Sequence, residues 1–145
     1  IAAVNKVHIG SSFSVGNYRE VEYVKYNDMM IDNEHVIISR EASAKINDTK
    51  GKVFCVGVSA MRGLEGSLGF GNKVRAVNHK VSHNINDKNK ALITKGLLTK
   101  FYEPNTIPGI SLTGICDQNV LFTLYNKALS SDYKMLEFGD YLLIK

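Results

Sequence analysis

The chain has 145 residues, of which 44% are hydrophobic and 22% charged, as is typical of a folded globular protein. This length predicts one domain over residues 1–145, and two cysteines are too few for a disulfide framework. No apolar run approaches the ~20 residues of a membrane-spanning helix, and no signal-peptide pattern is visible at the start, so we expect a soluble protein in a compartment that the sequence does not indicate.

Short segments rich in β-branched and aromatic residues follow one another along the first half of the chain. Turns containing Gly, Asn and Asp separate them. The predicted strands in this half are residues 7–9, 13–15, 19–26, 29–31, 35–39 and 52–58. Residues 40–46 are the first segment that could be helical.

The second half of the chain continues the same pattern. The predicted strands here are residues 73–77, 80–82, 91–102, 120–125, 133–138 and 141–144, and one short helix is predicted over 126–130. About ten short strands at this spacing favour an antiparallel barrel or sandwich. The sequence therefore predicts an all-β, barrel-like domain.

Four glycines form a Gly-x-x-Gly-x-x-Gly-x-Gly pattern within residues 61–71. A phosphate-binding loop would need a strand before the glycines and a helix after them, and the segment that follows looks extended. We therefore predict a mobile loop or a wide hairpin, which could form the rim of a ligand site.

Positive charge is concentrated in residues 51–101, which contain nine basic and two acidic residues. Such a section can mark a face that binds a polyanion such as RNA or a glycan, although it is also compatible with a solvated lysine-rich surface. The candidate polyanion-binding residues are Lys73, Arg75, Lys80, Lys88 and Lys90. Aromatic residues that could stack on bases, Phe70, Phe101 and Tyr102, lie only at the ends of the section.

His79 and His83 are four residues apart, a spacing that could chelate a metal on a helix. The local sequence has no helical pattern and no nearby set of further ligands. The sequence therefore predicts surface histidines, no metal and no cofactor.

Cys116 ends a loop that contains Pro108, Gly109 and Gly114. A thiol presented on such a loop can act as a nucleophile if a base generates the thiolate. His35, at the start of a predicted strand, is the candidate base. The alternative is that Cys116 is a small buried apolar residue.

Three segments, in the same order, resemble the chymotrypsin-like cysteine proteases of positive-strand RNA viruses, of the coronavirus main protease type. They are residues 32–37 around His35, the strand residues 53–60, and the Gly-containing segment 106–116 that ends at Cys116. The resemblance implies His35 as general base, Cys116 as nucleophile, and the backbone N–H groups from Gly114 to Cys116 as an oxyanion hole. The chain differs from that family at Asp117, where the family has glycine.

Two functions follow as hypotheses. The first is a cysteine peptidase of the viral chymotrypsin-like type, with a His–Cys dyad and a polypeptide substrate. The second is a non-catalytic β-barrel or sandwich module, such as a viral structural or recognition domain, that binds a protein partner or a polyanion. The sequence does not decide whether the protein is an enzyme.

Overall fold

A computed structural model describes residues 10–12, 34–135 and 139–145. They form a mixed α/β fold with helices and strands interspersed along the chain. The elements are β1 (Gly10–Ser12), β2 (Glu34–Ile38), α1 (Arg40–Asp48), β3 (Val53–Val56), α2 (Val58–Glu65), a 3-10 turn (Phe70–Asn72), β4 (Val77–Val81), β5 (Thr94–Lys100), α3 (Ile107–Leu112), α4 (Gln118–Ser130) and β6 (Tyr141–Ile144).

The strands belong to two separate three-stranded sheets. The first has the order β1-β2-β4 and is antiparallel. The second has the order β3-β5-β6, in which β3 and β5 are parallel and β6 is antiparallel to β5. A parallel pair needs a crossover connection, and α2 lies within it.

Helix α2 lies at the centre of the fold. It contacts β2 of the first sheet as well as β3 and β5 of the second. Met61 and Leu64 are almost fully buried on this helix, and they pack in one apolar cluster with Val36, Ile38 and Leu97 from the strands. Burial of these side chains on both sides of α2 holds the two sheets together.

The predicted all-β barrel is wrong. The structure has four α-helices and two open sheets in the described part of the chain. The largest error is at residues 120–125, which were predicted as a strand because Val, Phe and Tyr favour strands. They lie inside α4, whose inward positions Leu121, Leu124, Tyr125 and Ala128 follow the helical spacing of three and four residues.

Other predictions were closer to the structure. The strands predicted at 52–58, 91–102 and 141–144 contain β3, β5 and β6, and the strand predicted at 35–39 overlaps β2 in all but its first residue. The helix predicted at 40–46 lies within α1. The glycine segment 61–71 begins as the last turns of α2 rather than as a loop. The strands predicted at 7–9, 13–15, 19–26 and 29–31 lie outside the described residues.

Candidate functional site

A groove of about 770 Å³ lies between α3 and α4. Four parts of the chain line it: the turn that contains Asp87 and Lys88, the segment from Glu103 into α3, one side of α4, and Met135 after α4. Its volume is within the ~300–1,000 Å³ typical of small-molecule sites. The groove is therefore a candidate site for a small molecule.

The turn at residues 86–89 is fixed by one buried side chain. Asn86 Oδ1 accepts hydrogen bonds from the backbone N–H groups of Lys88, at 2.8 Å, and Asn89, at 2.9 Å. The backbone N–H of Asn86 also donates to the carbonyl of Asn89 at 3.0 Å. This Asx turn places Asp87 and Lys88 at the mouth of the groove on a rigid backbone.

Hydrogen bonds also hold the backbone of the segment before α3. Thr106 is the N-cap residue of α3, and its hydroxyl accepts from the Gly109 N–H at 3.2 Å. The same hydroxyl donates to the carbonyl of Glu103 at 2.7 Å. Pro108 occupies the first turn of the helix, where its missing N–H has no cost. These bonds position Glu103 at the edge of the groove.

Helix α4 is anchored to the end of β5 by Tyr125. Its ring packs edge-on against Phe101, with ring centroids 5.3 Å apart, and its hydroxyl accepts from the Tyr102 N–H at 3.1 Å. Burial raises the pKa of the Tyr125 hydroxyl, so this group stays neutral near pH 7. The anchored helix presents Phe122 to the groove beside Tyr125.

The groove therefore combines three kinds of chemistry. Phe122 and Tyr125 offer aromatic rings to a planar ligand. Asp87 and Glu103 offer carboxylates to a cation or to hydroxyl groups, and Lys88 offers a cation to an anion. A ligand with a flat ring, a positive centre and a carboxylate would match this arrangement.

The structure does not bring His35 and Cys116 into hydrogen-bonding contact. His35 lies on β2, where its Nε2 is 2.6 Å from Asn78 Oδ1. Cys116 lies directly after the turn that ends α3. Burial, and then the neighbouring Asp117 carboxylate, raise the pKa of the Cys116 thiol, and both effects disfavour a thiolate nucleophile.

The backbone N–H groups from Gly114 to Cys116 are used within the turn. Gly114 donates to the carbonyl of Ser111 at 3.2 Å, and Ile115 and Cys116 both donate to the carbonyl of Leu112. Gly114 itself packs on Ile85 and on the start of the 86–89 turn, because a Cβ at this position would clash with the Ile85 side chain and would lie 3.0 Å from the backbone nitrogen of Asn86. Gly114 therefore packs against the turn that lines the groove, and its N–H is not free to bind an oxyanion.

The five predicted polyanion-binding residues are all exposed. Lys73 and Arg75 follow the 3-10 turn, Lys80 lies on β4, and Lys88 and Lys90 belong to the loop before β5. Of these five, Lys88 also lines the groove. Their role stays a prediction.

Sequence reasoning did not single out Asp87, Glu103, Phe122 or Tyr125 as site residues. The available signal was in α4: Asp117 is followed by an apolar pattern of helical spacing, and its side chain caps the helix by accepting from Asn119 and Val120 N–H groups. Recognising that helix would have placed Phe122 and Tyr125 close to one another, three residues apart.

The described residues contain neither a membrane-spanning helix nor a cluster of metal ligands. None of the helices is long and apolar enough to cross a membrane. Between residues 34 and 135, and in the short described segments on either side, no three His, Cys, Asp or Glu residues cluster as metal ligands would.

The described residues form a mixed α/β fold with a groove between α3 and α4, and comparison with known proteins gives the family of the chain. A family profile described as "Queuosine biosynthesis protein" matches residues 2–144. The chain belongs to the queuosine biosynthesis protein family.

Curated relatives cover nearly the whole chain. S-adenosylmethionine:tRNA ribosyltransferase-isomerase of Clostridioides difficile is 28% identical over 142 residues, which are 96% of this chain and 40% of the relative. The protein of the same name from Nostoc sp. is 27% identical over 144 residues, covering 97% of this chain and 36% of the relative. The chain thus spans about two fifths of the length of these relatives.

A solved structure supports the fold. The crystal structure of S-adenosylmethionine tRNA ribosyltransferase from Thermotoga maritima superposes with a TM-score of 0.70 at 20% identity, over 77% of this chain and 40% of that one. At this identity the likeness concerns the fold.

These findings overturn both functional hypotheses drawn from the sequence. The resemblance to viral chymotrypsin-like proteases rested on short segments, whereas the family match extends over almost the entire chain. The cysteine peptidase with a polypeptide substrate is therefore wrong, and so is the non-catalytic viral β module. The expectation of a nucleic-acid partner agrees with the tRNA in the names of the relatives.

Proposed function

We propose that this chain takes part in the transfer of a ribosyl group from S-adenosylmethionine to tRNA, and that the groove between α3 and α4 binds S-adenosylmethionine. The main observation that supports the proposal is the family match over residues 2–144. Its relatives are named for this substrate pair, and the groove is a suitable place for the smaller substrate.

The chemistry of S-adenosylmethionine suits the groove. The molecule has a flat purine, a ribose with two hydroxyl groups, a sulfonium cation, and an amino acid end with a carboxylate. Phe122 and Tyr125 would contact the purine. Asp87 and Glu103 would attract the sulfonium and the ammonium group, and Lys88 would pair with the carboxylate.

The carboxylates also suit the reaction. Transfer of the ribosyl group out of S-adenosylmethionine breaks its bond to adenine and its bond to the sulfonium sulfur, so adenine and methionine are the leaving groups. As the bond to adenine breaks, the anomeric carbon gains positive charge in the transition state. A carboxylate near that carbon stabilises this charge. Glu103, which lines the groove and whose backbone carbonyl accepts from the Thr106 hydroxyl, is our candidate for this role.

The larger substrate would bind through the exposed cations. Lys73, Arg75, Lys80, Lys88 and Lys90 lie in the section of highest positive charge, and lysine and arginine contacts to phosphates account for much of the affinity of proteins for RNA. We assign these residues to tRNA binding.

A double-label experiment tests the proposal. The protein is incubated with tRNA and S-adenosylmethionine that is radiolabelled either in the ribose carbons or in the S-methyl group, and acid-precipitable label in tRNA is counted. We expect incorporation from the ribose label only. Incorporation from the methyl label would show methyl transfer, and incorporation from neither label would reject the proposed activity for this chain.

A further inference from the structure

A tight turn after α2 presents an aromatic ring at its tip. Leu68 and Val74 form an antiparallel bridge across the base of the turn, and the Gly69 N–H donates to the carbonyl of Lys73 at 2.8 Å. Between them, the side chain of Phe70 is fully exposed. This ring has no role in the substrate binding proposed above.

The tip of the turn has a defined backbone. Gly71 and Asn72 have φ values of 65° and 58°, in the left-handed region that glycine and asparagine tolerate best. The Asn72 N–H donates back to the carbonyl of Gly69 at 3.2 Å. These features hold the backbone on both sides of Phe70 in one conformation.

The base of the turn is fixed to α1. Asn47 and the backbone of Val74 exchange two hydrogen bonds of 2.9 Å, and the Ser43 hydroxyl donates to the Val74 carbonyl at 2.7 Å. The backbone that carries Phe70 is therefore ordered before any partner binds, which lowers the entropic cost of binding through this ring.

Two cations accompany the ring. Lys73 and Arg75 are both exposed and follow Phe70 by three and five residues. The stem of Arg75 packs across Gly69, its Cδ lying 2.9 Å from the position that a glycine Cβ would occupy, and its Nε donates to the Ser67 carbonyl at 3.4 Å. The guanidinium group is thus held beside the turn.

We propose that this turn binds an unstacked base of tRNA, with Phe70 stacked on the base and Lys73 and Arg75 on the adjacent phosphates. The inference rests on the proposed function, because tRNA is the substrate assigned there. Single-stranded RNA is recognised by aromatic side chains that stack on splayed bases next to cations that meet the backbone.

The composition of the turn favours RNA over a membrane or a protein surface. The neighbours of Phe70 at the tip are Gly69, Gly71 and Asn72, none of which adds an apolar side chain. Membranes and protein partners are bound through clusters of apolar side chains, whereas one flat ring with two cations on the same turn suits one base and its phosphates.

Binding measurements on three Phe70 variants test the inference. Affinity for bulk tRNA is measured by filter binding for the wild type, Phe70→Ala, Phe70→Leu and Phe70→Trp. Loss of one stacked base weakens binding by roughly tenfold or more, so we expect that loss in the Ala and Leu variants and wild-type affinity in the Trp variant. The matched control is Val56→Ala, which removes an exposed apolar side chain far from the turn in sequence, on β3. This variant should bind tRNA as the wild type does.

A spectroscopic readout and a salt titration distinguish stacking from other contacts. Fluorescence of 2-aminopurine in a single-stranded RNA should be quenched by the wild type and not by Phe70→Ala. Lys73→Gln should reduce the slope of log affinity against log salt by about one, since one phosphate contact is lost.

Four results would overturn the inference. Unchanged tRNA binding by Phe70→Ala, in a protein that still incorporates the ribose label, would reject it and leave the proposed function standing. Full binding by Phe70→Leu would show that an apolar contact, and not stacking, is what binds the tRNA. Phe70-dependent sedimentation with phosphatidylserine–phosphatidylcholine vesicles would show that the turn binds a membrane. A wild type that binds no tRNA would reject the inference and the proposed function together.

Discussion

One oxygen of the Glu65 carboxylate accepts two hydrogen bonds from Thr94, one from its backbone N–H at 2.8 Å and one from its hydroxyl at 2.7 Å. The backbone N–H groups of Leu92 and Ile93 donate to the same carboxylate at 2.8 and 3.1 Å. Glu65 ends α2 and is only 4% exposed. Its side chain therefore fixes the start of β5 to the central helix.

Replacing this carboxylate should destabilise the fold. In Glu65→Gln one oxygen becomes an NH2 group that faces backbone donors, so at least one buried N–H loses its acceptor. We expect a loss of about 2–3 kcal/mol in the free energy of unfolding, measured by urea denaturation. Glu41→Gln, which breaks only the exposed pair with Lys45, is the control. Equal stability of the Glu65 variant and the wild type would contradict this assignment.

The buried thiol of Cys55 predicts a loss of stability at high pH. Burial raises the pKa of Cys55 from 9.0 to about 11. The raised pKa belongs to the folded state, whereas the unfolded chain ionises near the ordinary value. The protonated thiol therefore contributes fully to the free energy of unfolding below pH 9, and this contribution is lost as the pH rises towards 11. The wild type should lose about 2–3 kcal/mol more than Cys55→Ala over this interval, measured as unfolding free energies at each pH. Parallel pH profiles of the two proteins would contradict the prediction.

Cys116 should react slowly with alkylating agents near neutral pH. Burial and the Asp117 carboxylate both raise its pKa, so little thiolate is present at pH 7. Asp117→Asn removes the charge and retains a good N-cap for α4, and we expect faster labelling by iodoacetamide at pH 8, followed by mass spectrometry. Rapid labelling of wild-type Cys116 below pH 7 would show that the thiol is activated, contrary to this account.

The hydroxyl of Thr99 has no hydrogen-bond partner in the described part of the chain, although Thr99 is almost fully buried on β5. Thr99→Val replaces this hydroxyl by a methyl group of similar size, and removal of an unsatisfied polar atom should stabilise the protein by about 1 kcal/mol. Thermal melting measures the change. A lower melting temperature for the valine variant would indicate that the hydroxyl has a partner.

The sequence predicted some elements from their local pattern alone. Strand β3 was found from its apolar and β-branched residues, although only Cys55 of its four residues is buried and Phe54 and Val56 are exposed. Helix α1 was also found, and in the structure the Ser39 side chain caps it. Helix α4 was missed because strand propensity at residues 120–125 outweighed the helical spacing of its buried positions. Helix α2 was missed because Gly63, as part of the glycine pattern, indicated a loop. Tertiary packing stabilises a helix at this position instead.

The groove could not be predicted from the sequence as a unit. Its charged residues come from a turn at 86–89 and a segment at 103–106, and its aromatic residues come from α4. No local motif links these segments, and only the packing of α3, α4 and β5 brings them together. The basic section was visible from the composition, but the exposure of Phe70 required the geometry of its turn.

Binding of S-adenosylmethionine to the groove tests the account most directly. Two phenylalanines of similar exposure provide a matched pair: Phe122 in the groove, 55% exposed, and Phe54 on β3, 49% exposed. Isothermal titration with S-adenosylmethionine should show binding by the wild type and Phe54→Ala, and roughly tenfold weaker binding by Phe122→Ala, as expected when an aromatic contact to the purine is lost. Equal binding by both variants, or no binding by the wild type, would contradict the account.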